Sequence, residues 1–374
     1  MDRENDFKAV QVVGEDWAHV AQACVDALNP LPEGANIGFL YVTDVLSTDM
    51  PSVLTYLRQR TGITHWVGGI GAMICGIGGE IADMPAAAAM AATLPEQSFH
   101  VLKSLKSDLL EIDDATWEWI SEKTPALALL HGDPANPDIV GLVESLAEKT
   151  GAFLVGGLTS ARVDSVQLAD RIMGGGLTGV LFAPEIGVAT GMSQGCRPIG
   201  EPHVVSDALE NVMVGLDGEK ALDVLTRETG AKSRDELQAL AGRLHIALLV
   251  EGSDMGDYMV RNLVAIDPSR GWIGIGGEIT PGTRIQFVER DPISAELDLR
   301  RMAENIRGRL NGAPRGGVYV SCVARGVNMF GKAGRELAIL NDVLGDFPLV
   351  GFHSAGEISH NRVYGYTGVL TLFT

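Results

Sequence analysis

The chain has 374 residues, 46% of them hydrophobic and 21% charged, enough for two domains or one large duplicated one and too apolar for extensive disorder. Its formal charge of −19 argues against nucleic acid or an anionic membrane as partner, since an acidic protein gains no counterion release from either. No signal peptide opens MDRENDFKAV, no apolar run approaches the roughly 18 residues that span a bilayer, and Cys24, Cys75, Cys196 and Cys322 have no C-x-x-C spacing. A cytoplasmic protein with reduced thiols is the expectation.

Residues 1–30 read as a lead-in strand and helix. From there an internal repeat organises the chain. One copy runs IGFLYVTD (Ile37 to Asp44), helical residues to about Arg60, then HWVGGIG (His65 to Gly71). The next runs ALALLHGD (Ala126 to Asp133), a helix over about Pro137 to Lys149, then FLVGGLTS (Phe153 to Ser160). Near the end VYVSCVARG is followed by a helix over about Lys332 to Leu344 and by PLVGFHSAG. About two dozen residues separate the paired strands, enough for a crossover helix. A Gly-rich bend and a return strand follow, as in GLTGVLFA (Gly176 to Ala183) and TGVLTLF.

The expected fold class is therefore α/β (mixed α+β): two related domains with mixed parallel and antiparallel sheets covered by helices, built from repeated strand-helix-strand-strand units. A shorter-spaced candidate copy opens with HIALLVEGSD (His245 to Asp254). Pro85 to Thr93 is alanine-rich, so propensity says helix; the repeat frame says strand, and strand is preferred. Gly195 to Asp217 lacks sustained periodicity and takes the domain boundary, with a helix over about Lys220 to Thr229, capped by Gly230, opening the second half.

The second half resembles the C-terminal domain of the FIST sensor family (F-box and intracellular signal transduction proteins) in LDGEKALDVL, VRNLVAID, GGEITPGTRIQFVERD, SCVARG and PLVGFHSAGEI. The first half resembles its N-terminal domain in GFLYVTD, WVGGIGAMICGIGGEI and FLVGGLTS. The resemblance places an N-terminal domain at 31–210 and a C-terminal domain at 215–374. It implies a ligand-binding sensory module acting on a separate signalling protein, and, from some bacterial members, a haem-binding nitric oxide sensor that regulates a kinase.

Candidate ligand-binding residues gather at strand ends near the C-terminus: Cys322, Arg325, His353, Ser354 and Glu357. An arginine before a glycine at a strand end suits bidentate binding of a carboxylate or phosphate, or a salt bridge to Glu357. A His, a hydroxyl and a carboxylate on one Gly-flanked bend orient a polar ligand or satisfy the turn backbone. Cys322 is a small buried hydrophobe or, with a cation or base beside it, a nucleophile. The pattern around Ser354 is one residue longer than a nucleophile elbow and no helix follows it. Gly174 to Gly179 matches G-x-G-x-x-G but precedes a strand, which excludes a dinucleotide fingerprint. The eight histidines include no pair at helical ligand spacing, so no metal site is expected. Haem needs only one or two axial ligands from anywhere in the fold, with His353 the first choice.

The recurring Gly-Glu-Ile at Glu80, Glu278 and Glu357 reads as a turn device. The leading expectation is a cytoplasmic, non-catalytic sensor taking a small polar or anionic ligand between the two domains, with the more polar pocket near Arg325 and Glu357. In the repeat frame, Leu158, Thr159 and Ser160 stand where His353, Ser354 and Glu357 do.

Overall fold

Continuous apolar runs bounded by glycine become strands covered on both faces. The computed structural model describes residues 6–231, 233–250 and 258–374. The first repeat comprises β1 (Phe7–Val13), α1 (Trp17–Leu28), β2 (Ile37–Thr43), α2 (Met50–Thr61), β3 (His65–Gly71), a hairpin of β4 (Met73–Gly76) and β5 (Gly79–Ala82), and the return strand β6 (Ala86–Ala92). The second has the same plan: β7 (Phe99–Leu105), α3 (Asp114–Lys123), β8 (Leu127–Gly132), α4 (Ile139–Thr150), β9 (Phe153–Leu158), the hairpin β10 (Gln167–Ala169) and β11 (Arg171–Met173), and β12 (Leu177–Phe182).

A third repeat begins with β13 (Val188–Ser193) and is interrupted by β14 (Cys196–Leu209), β15 (Val212–Leu216), β16 (Glu219–Lys220), α5 (Ala221–Thr229), α6 (Arg234–Ala241), β17 (Leu244–Leu249), β18 (Tyr258–Asp267), β19 (Trp272–Ile275) and β20 (Arg284–Arg290). It resumes with α7 (Pro292–Arg307), β21 (Gly316–Cys322), α8 (Val327–Phe330), α9 (Arg335–Leu344), β22 (Leu349–Ser354), the hairpin β23 (Gly356–His360) and β24 (Arg362–Tyr364), and β25 (Gly368–Phe373).

The chain thus separates into two compact units, 1–194 with 298–374, and 195–297. In the first, each repeat forms its own sheet, with β2–β3, β8–β9 and β21–β22 parallel and the return strands antiparallel. The hairpins do not stay with their repeats. β4–β5 extends the third sheet beside β22, β10–β11 extends the first beside β3, and β23–β24 extends the second beside β9. The exchange is cyclic, and it ties three sheets around one shared core of Phe39, Tyr41, Val155, Phe182, Val320, Phe352 and Phe373. Separate apolar layers fill the space between each sheet and its helices.

The ladders align the repeats residue by residue. Gly68 pairs with Leu40, Gly156 with Leu130 and Gly351 with Tyr319. A Cβ at these glycines would fall 1.9, 2.0 and 1.8 Å from the partner's carbonyl oxygen, so backbone approach excludes any side chain. The alanine run is the strand β6, pairing β1 on one side and β2 on the other. Its residues alternate between the shared core and the α1–α2 layer, and that two-faced burial overrides alanine's helix propensity.

The second unit is all antiparallel in its sheet. Pairings run β14–β20–β17–β18–β19–β15 and back to β14, closing a barrel whose core includes Val205, Met213, Ile246, Ile273, Ile285 and Phe287. The segment from His245 is therefore not another repeat: β17 pairs antiparallel with β18, where the repeats pair their strands in parallel across a helix. Glu251 to Asp254 of that segment lie outside the described residues. The segment 195–217, aperiodic in sequence, is mostly strand, with register shifts in β14 that break its alternation. No helix among the described residues is long and apolar enough to cross a membrane.

Candidate functional site: a buried charge cluster under the third sheet

All five candidate residues belong to the larger unit, and all are buried. They divide into two groups. Arg325 sits just past β21, in the turn leading to α8, with its side chain 0% exposed. Its Nε and Nη2 each lie 2.8 Å from Glu336 Oε1 on α9, while Nη1 faces the backbone carbonyls of Ser193, Gln194 and Tyr366. Glu336, rather than Glu357, is thus the ionic partner. Its carboxylate also accepts from the Tyr319 hydroxyl (2.7 Å), the Ser321 hydroxyl (2.9 Å) and the Gly326 amide (3.3 Å). Burial alone would raise the Glu336 pKa, but Arg325 and His353 outweigh it and hold the carboxyl below its ordinary range. Burial likewise works against the Arg325 charge, which Glu336 more than restores.

His353, on β22, joins the same group. Its Nε2 lies 3.6 Å from Glu80 Oε1 and its Nδ1 3.4 Å from the Cys322 carbonyl oxygen. Burial disfavours the imidazolium, yet Glu80 and Glu336 raise the His353 pKa above its ordinary value. Glu80 arrives on β5, so the hairpin exchange carries a carboxylate of the first repeat under the sheet of the third. Cys75, opposite Glu80 on β4, has its thiol pushed well above the usual range by burial and then by Glu80 and Glu336.

Ser354 and Glu357 form the second group. The Ser354 hydroxyl donates to Glu357 Oε1, and the Thr367 amide and hydroxyl donate to Oε2 at 3.0 and 2.8 Å. Burial nevertheless raises the Glu357 carboxyl to about 7. In ladder terms its counterpart in the second repeat is Gln167, not Ser160: Glu357 pairs with Gly157 as Gln167 pairs with Gly69. Gln167 Nε2 donates to the Thr159 hydroxyl 3.1 Å away, a neutral version of the Ser354–Glu357 contact. Ser160 donates instead to the His353 carbonyl. Burial pushes the Cys322 thiol up to about 12, with Glu357 adding to the effect, so at neutral pH it is not the thiolate that nucleophilic catalysis needs.

The Gly-Glu-Ile tripeptides are not one device. Glu357 and Glu80 are strand residues with enclosed side chains, whereas Glu278 is exposed in the second unit. Glu336 and Glu80 join the cluster although nothing in their local sequence marks them as site residues.

Two cavities in the larger unit, of about 640 and 400 Å³, are lined by residues including Phe153, Thr190, Arg309, Arg315, Glu185 and Thr374. None of the five candidates lines them; the groups around Arg325 and Glu357 are enclosed by the contacts described above. Nor does either cavity present the His, Cys, Met or Tyr that ligates haem iron. With His353 enclosed between a carboxylate and a carbonyl, these residues do not fit a haem.

The FIST N domain model matches residues 36–219 and the FIST C domain model residues 221–360. An uncharacterized protein found in two Mycobacterium tuberculosis strains is 36% identical over 260 residues, covering 66% of this chain and 68% of its own length. An uncharacterized protein of Mycobacterium bovis is 34% identical over 235 residues, covering 60% of this chain and 61% of its own.

Proposed function

The chain belongs to the FIST family, whose domains are sensory domains of signal transduction, and from that premise we propose that it is a non-catalytic sensor. It takes a small polar or anionic ligand at the cluster around Arg325 and signals to a separate protein. One observation carries this reading. Four helix-facing positions that are polar in the third sheet have apolar or glycine counterparts in the other two sheets. Tyr319 aligns with Leu40 and Leu130, Ser321 with Val42 and Gly132, His353 with Ile70 and Leu158, and Glu80 with Ile172 and Val363. Two sheets therefore indicate what the scaffold requires, and the third departs from it with charge.

A ligand reaches this cluster by displacing the turn and short helix from Val323 to Gly334. That segment includes three left-handed glycines, Gly326, Gly331 and Gly334, and half-exposed Val323 and Val327. Its displacement is the change a partner protein would read. The test is a thermal-shift screen of amino acids, organic acids and nucleotides on the full chain. A true ligand at a hundred times its dissociation constant adds about 2.7 kcal/mol of stability. If no class moves the melting point of the wild type, or if a hit moves His353→Gln equally, the reading fails.

A further inference from the structure

We propose that Glu80, Glu336 and His353 form a binding site for one divalent first-row transition-metal cation. Each offers one ligand atom, and these atoms lie within 4.8 Å of one another. At that widest spacing a central point is about 2.8 Å from each. Closing to ordinary metal–nitrogen and metal–carboxylate distances of about 2.1 Å needs shifts on the order of 0.7 Å, within the reach of side-chain adjustment.

An independent observation points to a missing ligand. Glu80 Oε2 is buried without a hydrogen-bond donor among the described residues, on a side chain only 3% exposed. Buried carboxylate oxygens are normally satisfied. This one borders Gly326, where an added Cβ would come 3.0 Å from His353 Cε1 and 3.5 Å from Glu80 Oε2, so the glycine keeps clear the space both groups face.

The surroundings are those of a supported coordination set. The Cys322 carbonyl near His353 Nδ1 holds the ring and leaves Nε2 directed at Glu80, the arrangement metal-ligating histidines use. Glu336 is fixed by Tyr319, Ser321 and Arg325. The three ligands come from β5, α9 and β22; Arg325 pairs with Glu336, while Glu80 faces His353, so a cation taking the place of the His353 proton would meet the Glu80 carboxylate. One imidazole with two carboxylates suits Zn²⁺, Mn²⁺ or Fe²⁺, whereas Ca²⁺ and Mg²⁺ favour all-oxygen sets.

The site shares Glu80, Glu336 and His353 with the cluster of the sensory reading, but its test is separate, because the probe is the metal alone. Untagged full chain, stripped with a chelator, is titrated with Zn²⁺ by calorimetry and with Co²⁺ by visible absorbance. The expected result is one Zn²⁺ per chain, with affinity reduced at least tenfold in Glu80→Gln and in His353→Gln and the Co²⁺ bands lost in both. Absence of saturable binding in the wild type, or unchanged affinity in both variants, overturns the site. Should a variant not fold, X-ray absorption of the Zn²⁺-loaded wild type decides. A shell of one imidazole nitrogen with oxygens supports the assignment, and sulfur or all-oxygen coordination overturns it.

Discussion

The helix-facing side of the third sheet and the same side of the first two share one backbone plan, but at four matched positions their chemistry is opposite. Under the first sheet, Leu40, Val42, Ile70 and Ile172 pack with α1 and α2; under the second, Leu130, Leu158 and Val363 pack with α3 and α4. Under the third, Tyr319, Ser321, His353 and Glu80 gather around Glu336 and Arg325. The three close-approach glycines are common to all, so the backbone geometry is indifferent to the swap. Hydrocarbon fills such a layer without desolvation cost, whereas ions must recover theirs through mutual pairing. The contrast separates what holds the fold from what is available for function.

The largest effect expected from breaking that contrast is at Arg325. Arg325→Ala leaves Glu336 buried without its ionic partner, and such a loss costs roughly 3–5 kcal/mol, measurable by urea denaturation. Arg325→Met combined with Glu336→Leu, which moves the third repeat toward the apolar pattern, should recover much of that stability. A double variant no more stable than Arg325→Ala would mean that the ion pair is part of the scaffold after all.

Glu357 and Gln167 compare a charge with its neutral isostere at matching ladder positions. The folded Glu357 carboxyl is raised from 4.5 to about 7 by burial, so the folded state binds its proton more tightly than the unfolded state does. Its stabilising effect is full below pH 4.5, falls as pH rises through about 7, and is then gone, a change of about 3 kcal/mol. Glu357→Gln copies the second repeat and should flatten stability between pH 5 and 7.5. A variant that keeps the wild-type slope would place the titration elsewhere.

A smaller effect is expected from the converse substitution, Ile70→His. It sets the third repeat's imidazole in the first repeat's apolar layer without Glu80 or Glu336 beside it. A buried polar group lacking partners costs roughly 1–3 kcal/mol, again read from urea denaturation. No loss would mean that this layer accepts polarity freely, and the contrast between repeats would then carry no functional weight.

The strand-helix-strand-return plan was legible because its strands are continuous apolar runs and its helices end at glycines such as Gly62 and Gly151. The exchange of hairpins was not. β4, β10 and β23 are three to five residues long, too short to specify a partner locally, and their pairing is settled only when three sheets meet. At the site, Arg325 and His353 stood out by type and position. Glu336 did not, since an acidic residue in a helix's first turn is ordinary on dipole grounds and nothing local marks it as buried. Glu80 was noticed only as part of a recurring tripeptide, and its role depends on the exchange that carries β5 to another sheet.

Cys322 offers the smallest effect, since its test changes no residue. Its ladder counterpart in the first repeat is Thr43, because Cys322 pairs with Ser354 as Thr43 pairs with Gly71. The Thr43 hydroxyl donates to the Met84 carbonyl and accepts from the Ala86 amide, which makes this position a strand-end fastening. With its pKa near 12, Cys322 at pH 8 holds about one thiolate in ten thousand molecules. Iodoacetamide on the native chain at pH 8, followed by peptide mass spectrometry, should modify Cys196, the one cysteine that is not buried. Cys24, Cys75 and Cys322 should react only in denaturant. Modification of native Cys322 at the rate of a free thiol would mean that the third repeat has turned a fastening position into a reactive one, and the non-catalytic reading would fall with it.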